Sequence, residues 1–491
     1  MGDHLLVIDA GTTSTRAMLF ALDGRCVASE SATLTQSYPR PGWVEHDAAE
    51  IWRKSLRVTA AMVAQAGGAD RIGGIGIANQ RETVVLWDRV TGEPLGPAIV
   101  WQDRRTADRC RALREAGHEP RVQATSGLLL DPYFSATKIA WALTEWPELR
   151  AAGERLAIGT VESWLVWKLT GSHVTDATNA SRTALMALEG GWDDGLLDLF
   201  GVPRAALPQI VDSAGEVGRT RAFGGSILIC GLAGDQQAAA IGQACLSPGQ
   251  TKATFGTGAF VLTHVGAVPK PSDHRLLSTV AWQIGGARSY AIEGSVFVAG
   301  SLVQWLRDSL GLLATAAESE ALARSVADTA GVYIVPALSG LGAPWWEPDA
   351  RASLTGLSFA ANRAHIARAA LEAMSYQTSD LATAFAGDGA AWQTLRIDGG
   401  MVANDWMAQD LADILALPVE RPRFTETTAL GAAMLAGVGA GLFRDLADAA
   451  RMRGPVERFE PRLDDAIRAA RLAGWASAVA AVVAGSRSPS R

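Results

Sequence analysis

Two short strand–turn–strand units restrict this chain more than any other feature of its sequence. The first runs LLVID into Gly11-Thr12-Thr13, leaves along RAMLF and turns again at Asp23-Gly24. That is the pattern of a β-hairpin opening a sheet. The second, TKATFGTGAFVL (residues 251–262), turns at Gly256-Thr257-Gly258. The echo is too short to establish an internal repeat, but it points to two halves that each offer a small-residue turn to a shared cleft. Elsewhere, strand-like runs (75–78, 84–88, 227–230) alternate with helical patterns, which argues for α/β architecture. LRIDGGMVANDW (395–406) reads as strand, Gly-Gly turn and helix start. A single core stops growing at about 250–300 residues, so 491 residues predict two large domains. LSPG (246–249) is the candidate boundary, dividing the chain into 1–245 and 246–491.

Bulk properties narrow the classes. Hydrophobic residues make up 48% and charged residues 19%, an ordinary globular composition. A net charge of −7 leaves no basic excess for nucleic acid or an anionic membrane surface. Cys26, Cys110, Cys230 and Cys245 lie far apart without a C-x-x-C, which fits reduced thiols and a cytoplasmic location. MGDHLLVIDAGTT has an early Asp3 and too short an apolar run for a signal peptide. Leu6 rules out a myristoylation motif at Gly2. No uncharged apolar stretch reaches about 18 residues, so no membrane span is expected. Residues 472–485 read as a packed C-terminal helix, and GSRSPSR (485–491) as a disordered tail.

Several residues carry chemistry as well as structure. Asp9 ends a strand ahead of Gly11, Thr12, Thr13, Ser14 and Arg16. Glycine lets backbone approach a phosphate, and turn N–H groups and hydroxyls donate to its oxygens. Arg16 could cover phosphate charge, and Asp9 could hold Mg²⁺ through water. A plain hairpin turn with a satisfied aspartate explains the same residues. There is no G-x-x-x-x-G-K-[ST], so this is not a P-loop. Asp235 follows a strand and starts a helix, where an N-cap is the stronger reading on the residues alone and a general base the alternative. NQRET (79–83) places Arg81 and Glu82 between two strands of a small hairpin. They form either a polyol-binding pair or a surface ion pair. Trp101 reads as core packing at a strand end.

Taken together, DAGTTSTR, YPRPGWVEHD, GIANQRET, AIVWQDRRT, DPYFSATK, TNASRTALM, GLAGDQQAA, TFGTGAF, RIDGGMVAND and TETTALGAA resemble the FGGY family of carbohydrate kinases over nearly the whole chain. YFSATKIAW (133–141) looks like the family signature. NQRET with DPYFSATK and AGDQQAA is closer to the glycerol-phosphorylating branch than to xylulose, gluconate or ribulose kinases. The resemblance implies two ribonuclease-H-like domains of the actin/hexokinase/Hsp70 type around a deep cleft. It implies ATP and Mg²⁺ as cofactors, glycerol as acceptor, and a homo-oligomer, dimer or tetramer. It assigns Arg81, Glu82 and Tyr133 to the acceptor hydroxyls, Trp101 and Phe260 to its carbon backbone, Asp235 to the catalytic base and Gln236 to its neighbour. Thr12, Thr13, Ser14 and Arg16 match the first phosphate turn and Thr257 the second. Gly300, Gln304, Gly400 and Asn404 match nucleotide contacts, and Asp9, with Asp235, the Mg²⁺ site. Two departures stand out. Ala10 replaces the glutamine usual in that branch. Residues 218–231 and Ile467 also lack the features of known allosteric inputs, a bisphosphate loop and a glutamate for docking a phosphotransferase-system protein. Rival readings are a kinase for another polyol such as erythritol, a non-catalytic actin- or Hsp70-like ATP-binding module, and a degenerate kinase kept as a regulator.

Overall fold

The computed structural model describes residues 2–486. Leu5, Leu6, Val7 and Ile8 are all buried, so the strand His4–Ala10 (β1) lies in a sheet covered on both faces. It pairs antiparallel with Ser14–Ala21 (β2), which pairs antiparallel with Cys26–Thr33 (β3). On its other side β1 runs parallel to Ile72–Asn79 (β4). Ala214–Thr220 (β5) forms an antiparallel pair with Ile227–Gly234 (β6), and β6 lies parallel to β4.

The second half repeats this pattern. Thr251–Phe255 (β7) and Ala259–Gly266 (β8) make the second hairpin. Leu277–Ile284 (β9) pairs antiparallel with Ala287–Val296 (β10), and β10 with β8. Leu395–Asp398 (β11) runs parallel to β7, and Val419–Pro422 (β12) parallel to β11. Val456–Phe459 (β13) closes the edge. The orders β3-β2-β1-β4-β6 and β10-β8-β7-β11-β12 therefore match in sequence and in direction. The short echo between the two turns belongs to a repeat of topology. The halves join into one 13-stranded sheet through the Ala214–Ile284 pairing of β5 with β9.

Four helices start beside the cleft or brace it: Asp235–Gly242 (α1), Gly300–Asp308 (α2), Asp405–Leu415 (α3) and Thr427–Gly439 (α4). Although α4 comes late in the chain, it lies on the first half's sheet, packed on Leu5, Val7, Phe20 and Ala233 and against α1. Its small residues are what allow this. A methyl group on Gly431 would stand 1.8 Å from the Ala238 carbonyl oxygen, and one on Gly242 2.0 Å from that of Thr427. Backbone touches backbone, so α1, and Asp235 with it, is fixed against α4.

Three expectations change. Residues 79–83 do not join a hairpin: both edges of β4 are taken by β1 and β6, and the following strand, Val84–Asp88, pairs in a separate five-stranded sheet. The C-terminal helix Asp465–Ser486 (α5) starts earlier than expected and includes Gly485 and Ser486; the rest of the expected tail lies outside the described residues. Among the described residues α5 is also the one helix long and apolar enough, by length and composition, to cross a bilayer. Here it is held on the helix Arg363–Gly387. Trp475 Nε1 donates to Asp380 at 2.9 Å and stacks on Tyr376, while Arg471 reaches Asp410 at 2.7 Å.

Gly431→Ala should force α4 away from α1. Overpacking of this kind costs about 1–3 kcal/mol, and the clash with unyielding backbone puts this site at the upper end. Gly454→Ala, whose added carbon meets nothing within 4 Å, should be near neutral. Denaturant unfolding of both variants checks the contrast.

Candidate active site

At the end of β4 the chain leaves one sheet for another, and Glu82 takes a left-handed backbone (φ 60°) to do so. That turn drives Arg81 and Glu82 inward, where both side chains are 1% exposed. The surface ion pair is therefore excluded. Arg81 donates through Nη1 to Glu293 Oε2 (2.5 Å), through Nη2 to Glu293 Oε1 (3.1 Å) and to the Tyr133 hydroxyl (3.2 Å). Arg182 donates through Nε to Glu82 (2.6 Å) and through Nη2 to Glu293 (2.9 Å). Two guanidiniums and two carboxylates thus balance without water. Burial opposes charge on every one of them; for Arg81 it is outweighed chiefly by Glu293, then Tyr133 and Glu82, so its proton is held more firmly than usual. On Glu293 the two arginines likewise overcome burial and hold the carboxyl below its ordinary range. On Glu82 burial wins and its proton affinity rises.

Asp235 stands at the floor of the cleft, its side chain 29% exposed. It is the first residue of α1, with Gly234 in the cap position, so the N-cap reading does not hold. Its Oδ1 accepts from the Gln236 N–H at 2.7 Å and faces Arg81 Nε at 3.2 Å. The Gly234 N–H donates to Thr178 Oγ1 (2.9 Å), which pins the strand end. Burial raises the proton affinity of Asp235 against the pull of Arg81 and Lys252. Lys252, fully buried on β7, donates to Gln236 Oε1 and to Thr254 Oγ1. Burial brings the ammonium of Lys252 down to about 8 despite the nearby carboxylate of Asp398.

Trp101 is half-buried at the cleft wall rather than in the core. Its ring meets Tyr133 and Phe260 edge-on at 5.7 and 6.0 Å, and its Nε1 donates to Thr12 Oγ1 at 2.9 Å. Trp101, Tyr133, Phe260, Thr257 and Gly258 line a cavity of about 370 Å³. Gln80 ties this wall to the first turn, donating to the Gly11 carbonyl (3.0 Å) and accepting from Thr83. Thr13 and Thr257 stand exposed at the tips of their turns, and Ser14 opens β2. Arg16 is committed to Glu426, at the start of α4, at 2.6 Å. Among the described residues Asp9 accepts no side-chain hydrogen bond; burial pushes it up to about 7 against Arg16, with Asp235 adding to the rise.

The nucleotide candidates gather on the second half. Gly300 and Ser301 donate their N–H groups to the carbonyls of Gly256 and Thr257 (2.9 and 3.1 Å), so α2 begins on the second turn. A methyl group on Gly300 would stand 2.6 Å from the Gly256 oxygen and 3.0 Å from Met401, which makes this glycine a packing requirement and brings the Gly400 loop alongside. Gln304 is exposed on α2. Asn404 caps α3 by accepting from the Met407 N–H at 2.9 Å. A methyl group on Gly400 would meet nothing within 4 Å. Arg182, Lys252 and Glu293 escaped assignment from the sequence. Only Lys252, a cation inside the strand TKATF, carried a local signal, since a charge in a buried strand has to find a partner.

Comparison with known proteins settles the family. Residues 4–242 match the N-terminal domain model, and residues 251–440 the C-terminal domain model, of the FGGY family of carbohydrate kinases. The chain belongs to that family. It is 54% identical to a glycerol kinase of Rhodospirillum centenum over 98% of both chains, and 54% identical to one of Methylobacterium nodulans over 97% of both. The FGGY fold is evident in solved structures as well. A Plasmodium falciparum glycerol kinase with ADP superposes with a TM-score of 0.91 at 34% identity, covering 98% of this chain and 99% of that one. A gluconate kinase from Lactobacillus acidophilus, at 21% identity, shares the fold with a TM-score of 0.88 over 98% of both.

Because the space over Gly400 is open, Gly400→Ala should leave the melting temperature unchanged. If a nucleotide lies on that backbone, the variant's KM for ATP should rise at least about fivefold, roughly 1 kcal/mol. An unchanged KM removes Gly400 from the nucleotide site.

Proposed function

We infer that this chain transfers the γ-phosphoryl group of ATP to glycerol, giving sn-glycerol 3-phosphate. The observation that carries the reading is the acceptor pocket, in which buried Arg81 donates to Tyr133 and faces Asp235, and Tyr133 meets the edge of Trp101, itself edge-on to Phe260. Such a pocket suits a small molecule with a hydroxyl on each carbon. Its polar groups would stand unpaired against an analogue lacking those hydroxyls. The names of relatives 54% identical over nearly full length support glycerol as the acceptor. Division at residues 245 and 246, with acceptor and first phosphate turn in the first part and nucleotide binding in the second, is part of this reading.

Asp235 is the group placed to take the proton of the attacking hydroxyl. Arg81 and Glu82 orient the other hydroxyls, Gln236 offers its amide N–H groups beside the base, and the two aromatic edges exclude water. Thr12, Thr13, Ser14 and Thr257 offer hydroxyl and backbone donors to phosphate oxygens. Arg16 reaches phosphate only by leaving Glu426. Asp9 and Asp235 fit a hydrated Mg²⁺, since the Asp9 carboxylate is half-buried, accepts no side-chain hydrogen bond among the described residues and is close enough to Asp235 to feel its charge. Bound there, Mg²⁺ would neutralise phosphate charge.

With MgATP and a panel of glycerol, dihydroxyacetone, glyceraldehyde, erythritol and xylulose, kcat/KM should be highest for glycerol. Equal or better turnover of erythritol overturns the acceptor assignment and leaves the family intact. Asp235→Asn should lower kcat by at least about 10²-fold, the typical loss for a general base, with a near-normal melting temperature. The base acts only when ionised, and burial holds its pKa above 3.8. kcat/KM should therefore fall on the acid side as pH drops through that raised value, and this limb should disappear in the asparagine variant.

A further inference from the structure

Glu293 lies on β10, in the second half of the chain, is fully buried and does not line the cleft cavity. Both its oxygens are spent on Arg81, which the reading above gives to the acceptor, and on Arg182, the partner of Glu82. One edge of the Arg81 guanidinium is held bidentately, at 2.5 and 3.1 Å, and Arg182, the partner of Glu82, is held at 2.9 Å. Ser295 Oγ adds a third donor at 3.3 Å. What this clamp leaves to the cleft is the Nε edge of Arg81, which makes one contact with Asp235 at 3.2 Å.

Arginine prefers to meet a carboxylate through two parallel N–H donors. Two further carboxylates stand within reach of Arg81 Nε, Glu82 at 3.9 Å and Asp235 at 3.2 Å, and Asp235 is, on the reading above, the base. A bidentate pair between Arg81 and Asp235 would engage both oxygens of the base and tie up the donors meant for the acceptor. We propose that Glu293 is a positioning residue, which holds the Arg81 fork from the second half of the chain and so keeps Asp235 free as a base and Arg81 aimed at the acceptor hydroxyls.

The proposal rests on the acceptor and base roles given to Arg81 and Asp235. The groups facing Asp235 are Arg81 from the end of β4, Lys252 from β7, Asp9 from β1, Glu293 from β10 and the Gln236 N–H of its own helix.

Two variants test this in the full chain. Glu293→Gln keeps the shape and loses the charge; Glu293→Asp keeps the charge on a shorter arm, which preserves a test if the glutamine variant folds poorly. Expected for Glu293→Gln are a glycerol kcat/KM reduced at least tenfold, a raised glycerol KM and a KM for ATP within twofold of the parent. For Glu293→Asp, glycerol KM should rise while the KM for ATP stays within twofold. Glycerol kinetics within twofold of the parent in both variants overturn the proposal. So does a loss that tracks melting temperature and ATP affinity together, since that marks a structural role alone. Failure of the parent to phosphorylate any polyol in the same assay would instead overturn the functional reading.

Discussion

Four charges packed without water hold this molecule's cleft together. Arg81, Glu82, Arg182 and Glu293 are each 2% exposed or less, and they come from three distant stretches of chain. A pair removed from water gains stability only when its geometry is good and its remaining donors are met, and loss of one partner typically costs about 3–5 kcal/mol. The quartet therefore enforces an arrangement more than it adds stability. Until β10 stands beside the end of β4, the Arg81 fork lacks the carboxylate that meets it. The acceptor pocket and the contact between the two halves thus share the same four side chains.

Much of this was legible in the sequence because it obeys local rules. The two hairpins follow from apolar runs separated by small-residue turns, and the Gly399-Gly400 turn into α3 from strand, glycines and a capping asparagine. What escaped is non-local. Two parallel neighbours claim both edges of β4, which sends 79–83 to a second sheet, and nothing in NQRET itself reveals that competition. The cap position at α1 passed to Gly234 because β6 runs four residues further than the 227–230 segment read as a strand, up to the helix. Glu293 looks like an unremarkable polar residue in AIEGSV until Arg81 and Arg182 are seen around it. Family resemblance named the candidate ligand contacts and passed over Glu293, which holds one of them.

The cleft also separates its carboxylates by environment. Asp9 and Asp235 both have raised proton affinity from burial, but Asp235 has Arg81 and Lys252 beside it and Asp9 has Arg16 alone, which Glu426 already occupies. Groups of the same type set at different charge balances are what a site needs if one carboxylate is to take a proton and the other to attract a cation.

The position of α4 has a consequence for how the chain is made. The sheet β3-β2-β1-β4-β6 is complete in sequence at Gly234, yet the helix that covers Leu5, Val7 and Ala233 ends only at Gly439. At about 5–20 residues per second, synthesis of the stretch between takes roughly 10–40 s. During that interval the nascent first half carries an uncovered apolar face, narrowed by glycines to admit one particular helix and poorly shaped for any other. The small residues of α4 and its bed serve the finished enzyme by fixing Asp235. On the ribosome they leave Leu5, Val7 and Phe20 uncovered, and the chain's vulnerable period ends when its own late segment arrives.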